Sequence, residues 1–291
     1  MKNDRQKAEY FPRGTLIIIG GAEDKRDRCQ ILRAVIAKAG GSDARLVVLT
    51  AATEQPGAVG AEYRYVFSRL GAAEVEIIHV DDRALANNQR VVDAIARASG
   101  IFFTGGDQLR ITSLIGGTRL ETALRDAYAS GAVIAGTSAG ASAMSDTMIV
   151  AGDDEDAPTR NTLNMAPGMA LLRDVVIDQH FAQRGRIGRL LSAIAQNPHA
   201  LGVGIDEDTA IVVRPDREFT VIGSNAVTVI DGRTITETNV SEASPTMPLA
   251  LTDVTLHVLP VGYGFDLQRR RPTAPAGATD EEHNPQCEAA R

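Results

Sequence analysis

The first residues whose types and spacing could do chemistry are Gly136-Thr137-Ser138-Ala139-Gly140, a Gly-x-Ser-x-Gly turn directly behind the apolar run at 132–135. A strand that ends in such a turn and passes at once into a helix presents its serine hydroxyl at a sharp, strained corner, the arrangement of a nucleophile elbow. Small neighbours suit that corner because bulky side chains would clash in it. The helix start behind the serine supplies unpaired N–H groups and the positive end of a dipole, both suited to a developing oxyanion. A tight Gly/Ser turn can also be purely structural. Acyl-transfer chemistry would need a base, an acid to orient it and a second oxyanion donor.

The base must come from five histidines: His79, His180, His199, His257 and His283. His283 lies in the polar C-terminal segment, His257 sits inside an apolar run where a structural role is expected, and His199 follows the Asn197-Pro198 turn. His79, near the end of a predicted strand, remains a second candidate. His180 is best placed: it follows a short strand, precedes a helix and is flanked by Asp178, Gln179 and Phe181. For the acid, Asp206-Glu207-Asp208 follows the predicted strand 201–205. Alternation along an extended chain puts Asp206 and Asp208 on one side and Glu207 on the other, and leaves open which side faces inward. Gly105-Gly106-Asp107-Gln108 lies between a buried strand and a helix. Its glycine N–H groups, together with that of Ala139, could bind an oxyanion, with Gln108 available to a substrate and Asp107 as a helix cap.

The elements that must position these residues alternate regularly. Continuous apolar runs at 15–20, 45–49, 75–80, 100–104 and 132–135 read as strands buried on both faces. Between them, apolar residues at helical spacing include Ile31, Leu32, Val35 and Ile36, and Tyr63, Val66, Phe67 and Leu70. This pattern predicts an α/β fold, a doubly wound, mainly parallel sheet flanked by helices. The loops at 20–21, 51–55, 105–106 and 138 then share the carboxyl edge of that sheet. Beyond the elbow, 153–156 is an acidic loop, 161–173 reads as irregular or partly helical, and 186–195 is an amphipathic helix. β-Hairpin additions fill the C-terminal third, with strands at 201–205, 209–213, 218–222, 226–230 and 251–258 and turns at Pro215-Asp216 and Asp231-Gly232. One domain over 14–267 is expected, with a polar arm at 1–13 and a disordered tail at 268–291.

Composition narrows the function classes. The 291 residues, 44% hydrophobic, can bury a sizeable core, and no apolar run is long enough to span a membrane. A formal charge of −7, no tryptophan and 4% aromatic residues argue against nucleic acid as a partner and are compatible with a cationic substrate. Only Cys29 and Cys287 are present, which predicts no structural disulfide and fits the cytoplasm. No zinc-ligand spacing and no Gly-x-x-x-x-Gly-Lys loop occurs, so neither metal nor cofactor is expected.

Four separated stretches, 104–108, 136–141, 178–181 with the arginines that follow, and 204–207, occur in the order and at the spacing of a known family. The chain resembles cyanophycinase, a serine peptidase family in the clan of aspartyl dipeptidase (peptidase E), with a fold related to class I glutamine amidotransferases. The likeness runs from about 15 to 230. It implies Ser138 as nucleophile, His180 as base and Glu207 as third member. It also implies a homodimer and a substrate, cyanophycin, whose poly-aspartate backbone carries arginine on its side-chain carboxylates and is cut to β-aspartyl-arginine dipeptides. Arg184, Arg186 and Arg189 stand where the family places substrate-binding arginines, and guanidinium groups suit free carboxylates. Asp178 and Gln179 could receive substrate guanidinium groups, whereas the acidic loop reads better as a solvated segment. The competing expectations are an aspartyl dipeptidase-like enzyme acting on other acidic peptides, and a non-catalytic ligand-binding relative.

Overall fold

Along the first strand, β1 (Leu16–Ile19), successive side chains enter opposite cores: Leu16 and Ile18 pack on one side, Ile17 and Ile19 on the other, all fully buried. Such a strand needs cover on both faces, and the alternating helices provide it. The computed structural model describes residues 12–152, 157–159 and 163–275. After β1 come β2 (Arg45–Leu49), β3 (Glu74–Ile78), β4 (Gly100–Phe103) and β5 (Val133–Thr137). The main helices between them are α1 (Gln30–Lys38), α2 (Pro56–Arg69), α3 (Arg83–Ala86), α4 (Gln89–Arg97), α5 (Gln108–Ile115) and α6 (Arg119–Ser130). A four-residue helix, α7 (Ala139–Ser142), starts directly after the elbow serine. Pairing is parallel across β3-β2-β4-β5-β1, so the carboxyl ends of these strands share one edge, as expected. Burial of Phe102, Phe103 and the isoleucines of β1 supplies about 1.5–3 kcal/mol for each side chain.

The second half differs from a sheet with hairpins appended. A pair of strands, β6 (Thr147–Gly152) and β7 (Leu163–Pro167), forms its own two-stranded sheet, so residues 163–167 are extended where an irregular or helical segment was expected. β8 (Val175–Gln179) leads through α8 (Ile187–Gln196) to β9 (Leu201–Ile205), which pairs parallel to β8. The next strands, β10 (Thr209–Val213) and β11 (Glu218–Gly223), return to the first sheet, while β12 (Ala226–Asp231) and β13 (Thr255–Pro260) join β9. β14 (Gly264–Asp266) and β15 (Arg271–Thr273) complete a nine-stranded sheet in the order β15-β14-β11-β10-β1-β5-β4-β2-β3. The other sheet has four strands, β13-β12-β9-β8. The turn at Pro215-Asp216 joins a hairpin, as expected, but Asp231-Gly232 does not: β12 meets β13 only after residues 232–254. Residues 271–273, expected within a disordered tail, are instead an edge strand held by β14. Most of the N-terminal arm, the acidic residues 153–156 and the chain beyond 275 lie outside the described residues.

This topology decides the site. Ser138 follows a strand of the nine-stranded sheet, His180 follows a strand of the four-stranded sheet, and Glu207 lies where the chain crosses from one to the other.

Candidate active site

β5 ends at Thr137 and α7 begins at Ala139, so Ser138 alone makes the turn, at φ 53° and ψ −110°. A non-glycine residue in the left-handed half of conformational space carries strain of about 1–3 kcal/mol and persists only when its surroundings over-determine it. Here its N–H donates to the Ile19 carbonyl at 3.0 Å, and its own carbonyl accepts the N–H groups of Ala141 and Ser142. The hydroxyl is thereby turned toward the second sheet.

His180 waits there, also at positive φ, 50°. Its N–H donates to the Gly20 carbonyl at 2.8 Å, and its Nε2 lies 3.0 Å from Ser138 Oγ. Nδ1 lies 2.6 Å from Glu207 Oε1. A carboxylate at Nδ1 keeps that nitrogen protonated and leaves Nε2 to accept the serine proton, which is the tautomer a general base needs. The His180 side chain is 12% exposed and that of Glu207 35%, so the imidazole is sheltered while its carboxylate partner stays at the rim. The flanking acids face away from His180. Asp206 accepts from the Ala182 N–H and Asp208 from the Asp24 N–H, so both brace loops. Of the three acids, Glu207 is the one whose carboxylate reaches His180.

Two glycines are required by close approach. Gly21 has φ 102°, and a Cβ there would sit 2.3 Å from His180 Cε1, so the imidazole lies flat against bare backbone. Gly106 has φ 142°, and a Cβ would meet the Ala52 carbonyl oxygen at 2.1 Å. Its neighbour Gly105 is beside the nucleophile: a Cβ on it would lie 3.4 Å from Ser138 Cβ and 3.9 Å from Oγ. Backbone at Gly105 therefore borders the Ser138 side chain, and the first N–H of α7, that of Ala139, follows Ser138 directly. A serine, a histidine set between it and a carboxylate, and bare backbone beside the serine are parts that acyl-transfer sites on unrelated folds share.

The chain matches the model of peptidase family S51 over residues 16–222. The chain belongs to peptidase family S51. Among curated proteins, this S51 peptidase is 40% identical to a cyanophycinase of Synechococcus elongatus over 257 residues, covering 88% of this chain and 80% of that one. It is 37% identical to a cyanophycinase of Geminocystis herdmanii over 267 residues, covering 91% and 98%. Among solved structures, a peptidase from an acI-B1 actinobacterium superposes with a TM-score of 0.59 at 22% identity, covering 84% of this chain and 98% of that one. A putative peptidase E of Listeria monocytogenes gives 0.50 at 15%, covering 72% and 98%. These two share the fold.

Several residues expected to meet the substrate also hold one another in this S51 peptidase. Asp178 is fully buried; its carboxylate takes Arg189 Nε at 2.7 Å and a second guanidinium nitrogen of the same residue, with Arg186 at 3.6 Å. Arg186 also donates to the Gln179 carbonyl at 2.6 Å and to its Oε1 at 2.8 Å. Asp178, Gln179, Arg186 and Arg189 are all buried and hold one another beside His180. The physical reason is that burying either charge alone is costly, and pairing offsets it. Gln108 is likewise buried, its amide donating to the carbonyls of Ile149 at 2.7 Å and Val150 at 3.2 Å. It ties α5 to β6. Arg184 is exposed, on a short 3-10 turn whose N–H donates to the His180 carbonyl. His79 faces Thr50 at 3.3 Å and does not join the triad.

Sequence reasoning passed over Glu23. It lies in the glycine loop after β1, is 5% exposed, and accepts from Thr137 Oγ1 at 2.6 Å and from the Tyr63 hydroxyl. The available signal was a carboxylate close behind Gly20-Gly21 at the carboxyl edge. Among the described residues no helix is long and apolar enough to cross a membrane, and no group of three or more His, Cys, Asp or Glu could hold a metal.

Proposed function

We propose that this S51 peptidase hydrolyses cyanophycin through an acyl-enzyme on Ser138 and releases β-aspartyl-arginine dipeptides. The observation that supports it most is the Ser138–His180–Glu207 chain of contacts, at 3.0 and 2.6 Å, in a protein 40% identical to a cyanophycinase across 88% of its length. In the first half-reaction Ser138 Oγ attacks the backbone carbonyl of a β-linked aspartyl residue while His180 Nε2 takes its proton. The oxyanion meets the N–H groups of Ala139 and of Gly105 or Gly106. His180 returns the proton to the leaving amine. Water then attacks the ester with His180 again as base, and Glu207 stabilises the imidazolium in both halves. Exposed Arg184 is the arginine of the three best placed for a substrate carboxylate.

Incubation with purified cyanophycin, followed by mass analysis, should yield β-aspartyl-arginine. Cleavage of α-aspartyl dipeptides with cyanophycin left intact would favour the dipeptidase reading instead. A cytoplasmic homodimer goes with the same proposal. Leu256 and Val258, 45% and 59% exposed on the edge strand β13, support self-association, and light scattering at micromolar concentration tests it.

A further inference from the structure

Glu23 takes no part in the triad, yet it is a carboxylate withdrawn from water immediately behind the nucleophile. Burying a carboxylate costs several kcal/mol unless strong donors compensate it. Both of its oxygens meet hydroxyls: Thr137 Oγ1 at one, at 2.6 Å, and the Tyr63 hydroxyl at the other. Burial, and after it the charge of Glu23, pushes the Tyr63 phenol well above its ordinary range, so Tyr63 stays a donor. The Tyr63 ring is fixed in turn, tilted against Phe102 at 4.7 Å between centroids and capped by Lys25 Nζ at 4.3 Å.

Thr137 is the residue before Ser138 and the last of β5. The loop that carries Glu23 also touches the other two members of the triad or their supports. Gly20 accepts the His180 N–H, Gly21 lies against the imidazole, and the Gly21 carbonyl accepts the N–H of Asp208, next to Glu207, at 2.9 Å. One loop therefore meets the elbow through Glu23, the base through Gly20 and Gly21, and the strand crossing through Asp208.

We propose that Glu23 is a positioning residue for the nucleophile: by holding the Thr137 hydroxyl it locks the strained elbow at Ser138 in register with His180. This rests on Ser138 being the nucleophile. The role is geometric, so its loss acts on kcat. A displacement of about 1 Å at a reacting atom can cost up to about 100-fold in rate.

Thr137→Val removes the hydroxyl at nearly constant volume, and Thr137→Ser restores it. The expected result on cyanophycin is a fall in kcat of about 10- to 100-fold for Thr137→Val with KM within about twofold of the parent, and recovery to within about threefold for Thr137→Ser. Glu23→Gln, which keeps one oxygen acceptor, should lose about tenfold in kcat. Sulfonylation of Ser138 by phenylmethanesulfonyl fluoride, timed by intact mass, should slow in the same order and needs no peptide substrate. If the parent is sulfonylated but leaves cyanophycin intact, the substrate assignment fails while this comparison still stands. Unchanged kcat and labelling in Thr137→Val would overturn the inference, as would equal losses in Thr137→Val and Thr137→Ser. Should Thr137→Val fail to fold, Glu23→Gln decides by the same two readings: unchanged kcat and labelling overturn the inference, and the expected loss with KM held supports it.

Discussion

Ser138 and His180, the proposed nucleophile and base, stand at the ends of strands in different sheets, and the two ends are braced by different chemistry. Beneath Ser138 the contacts are short and the donors uncharged: two hydroxyls on the Glu23 carboxylate, and a backbone turn held by Ile19. Beneath His180 lies an ion-pair cluster, Asp178 with Arg186 and Arg189, in which all three residues are buried. The elbow stores strain in a single residue, so small displacements there reach the reacting atom. The base is carried by a residue that also bends at positive φ, but its foundation is a charged cluster whose integrity the fold itself requires. The comparison predicts that damage on the elbow side appears mainly in rate, and damage on the base side mainly in stability.

The largest effect tests the elbow directly. Ser138→Ala should lower turnover by at least about 10³-fold and leave the far-ultraviolet circular dichroism and unfolding temperature unchanged or slightly raised, since the strained turn persists without its hydroxyl. Retained turnover would break the mechanism. Gly21→Ala drives a methyl into the imidazole itself and leaves the ion pairs beneath it intact, so its cost too should fall on rate, about 100-fold in kcat, visible in single-turnover acylation. On the base side, Asp178→Ala leaves two arginines buried beside a vacated carboxylate site and should cost about 3–5 kcal/mol in urea unfolding. If Asp178→Ala instead unfolded like the parent and lost only activity, the contrast between the two foundations would collapse.

The nucleophile side was the more legible of the two in the amino-acid order. Continuous apolar runs marked the five parallel strands, and small residues after the last of them marked the elbow, because both signals are local. The crossing at 206–208 was not legible as such: β9 and β10 look like neighbours in a hairpin, and only long-range pairing sends one to each sheet. The same non-locality hid the arginines. Arg186 and Arg189 stand where the resemblance places substrate-binding arginines, and nothing local in the pattern shows that Asp178, on the preceding strand, pairs with both. Arg186 stands at the N-cap of α8, and its guanidinium reaches back to the end of β8. Gln108 shows the same limit: its hydrogen bond to β6 was not legible, because β6 comes from a segment whose own pairing is remote. Glu23 was invisible because its two donors, Tyr63 and Thr137, come from distant parts of the chain.

The smallest effect concerns the loop that joins the two sides. Asp24, next to Glu23, accepts the N–H groups of Arg26, Asp27 and Cys29 at 2.8–2.9 Å, and these backbone donors lower its pKa to about 2. Folding thus favours the ionised acid, so the contribution is complete above the unfolded value of roughly 4 and is lost as the pH falls through the folded value of about 2. Asp24→Ala should lower the unfolding temperature at pH 7 by about 2–4 °C, the scale of losing one capping side chain in a chain of this length. The gap to the parent should close between about pH 4 and 2, followed by thermal unfolding in a pH series. A gap that stayed constant across that range would mean that the side chain acts through packing alone. The Asp24 N–H donates to Asp208 at 2.8 Å, beside Glu207, so the same variant also reads the coupling of this loop to the acid. The expected change in kcat is under about threefold, because that contact uses the backbone of residue 24, which the substitution keeps.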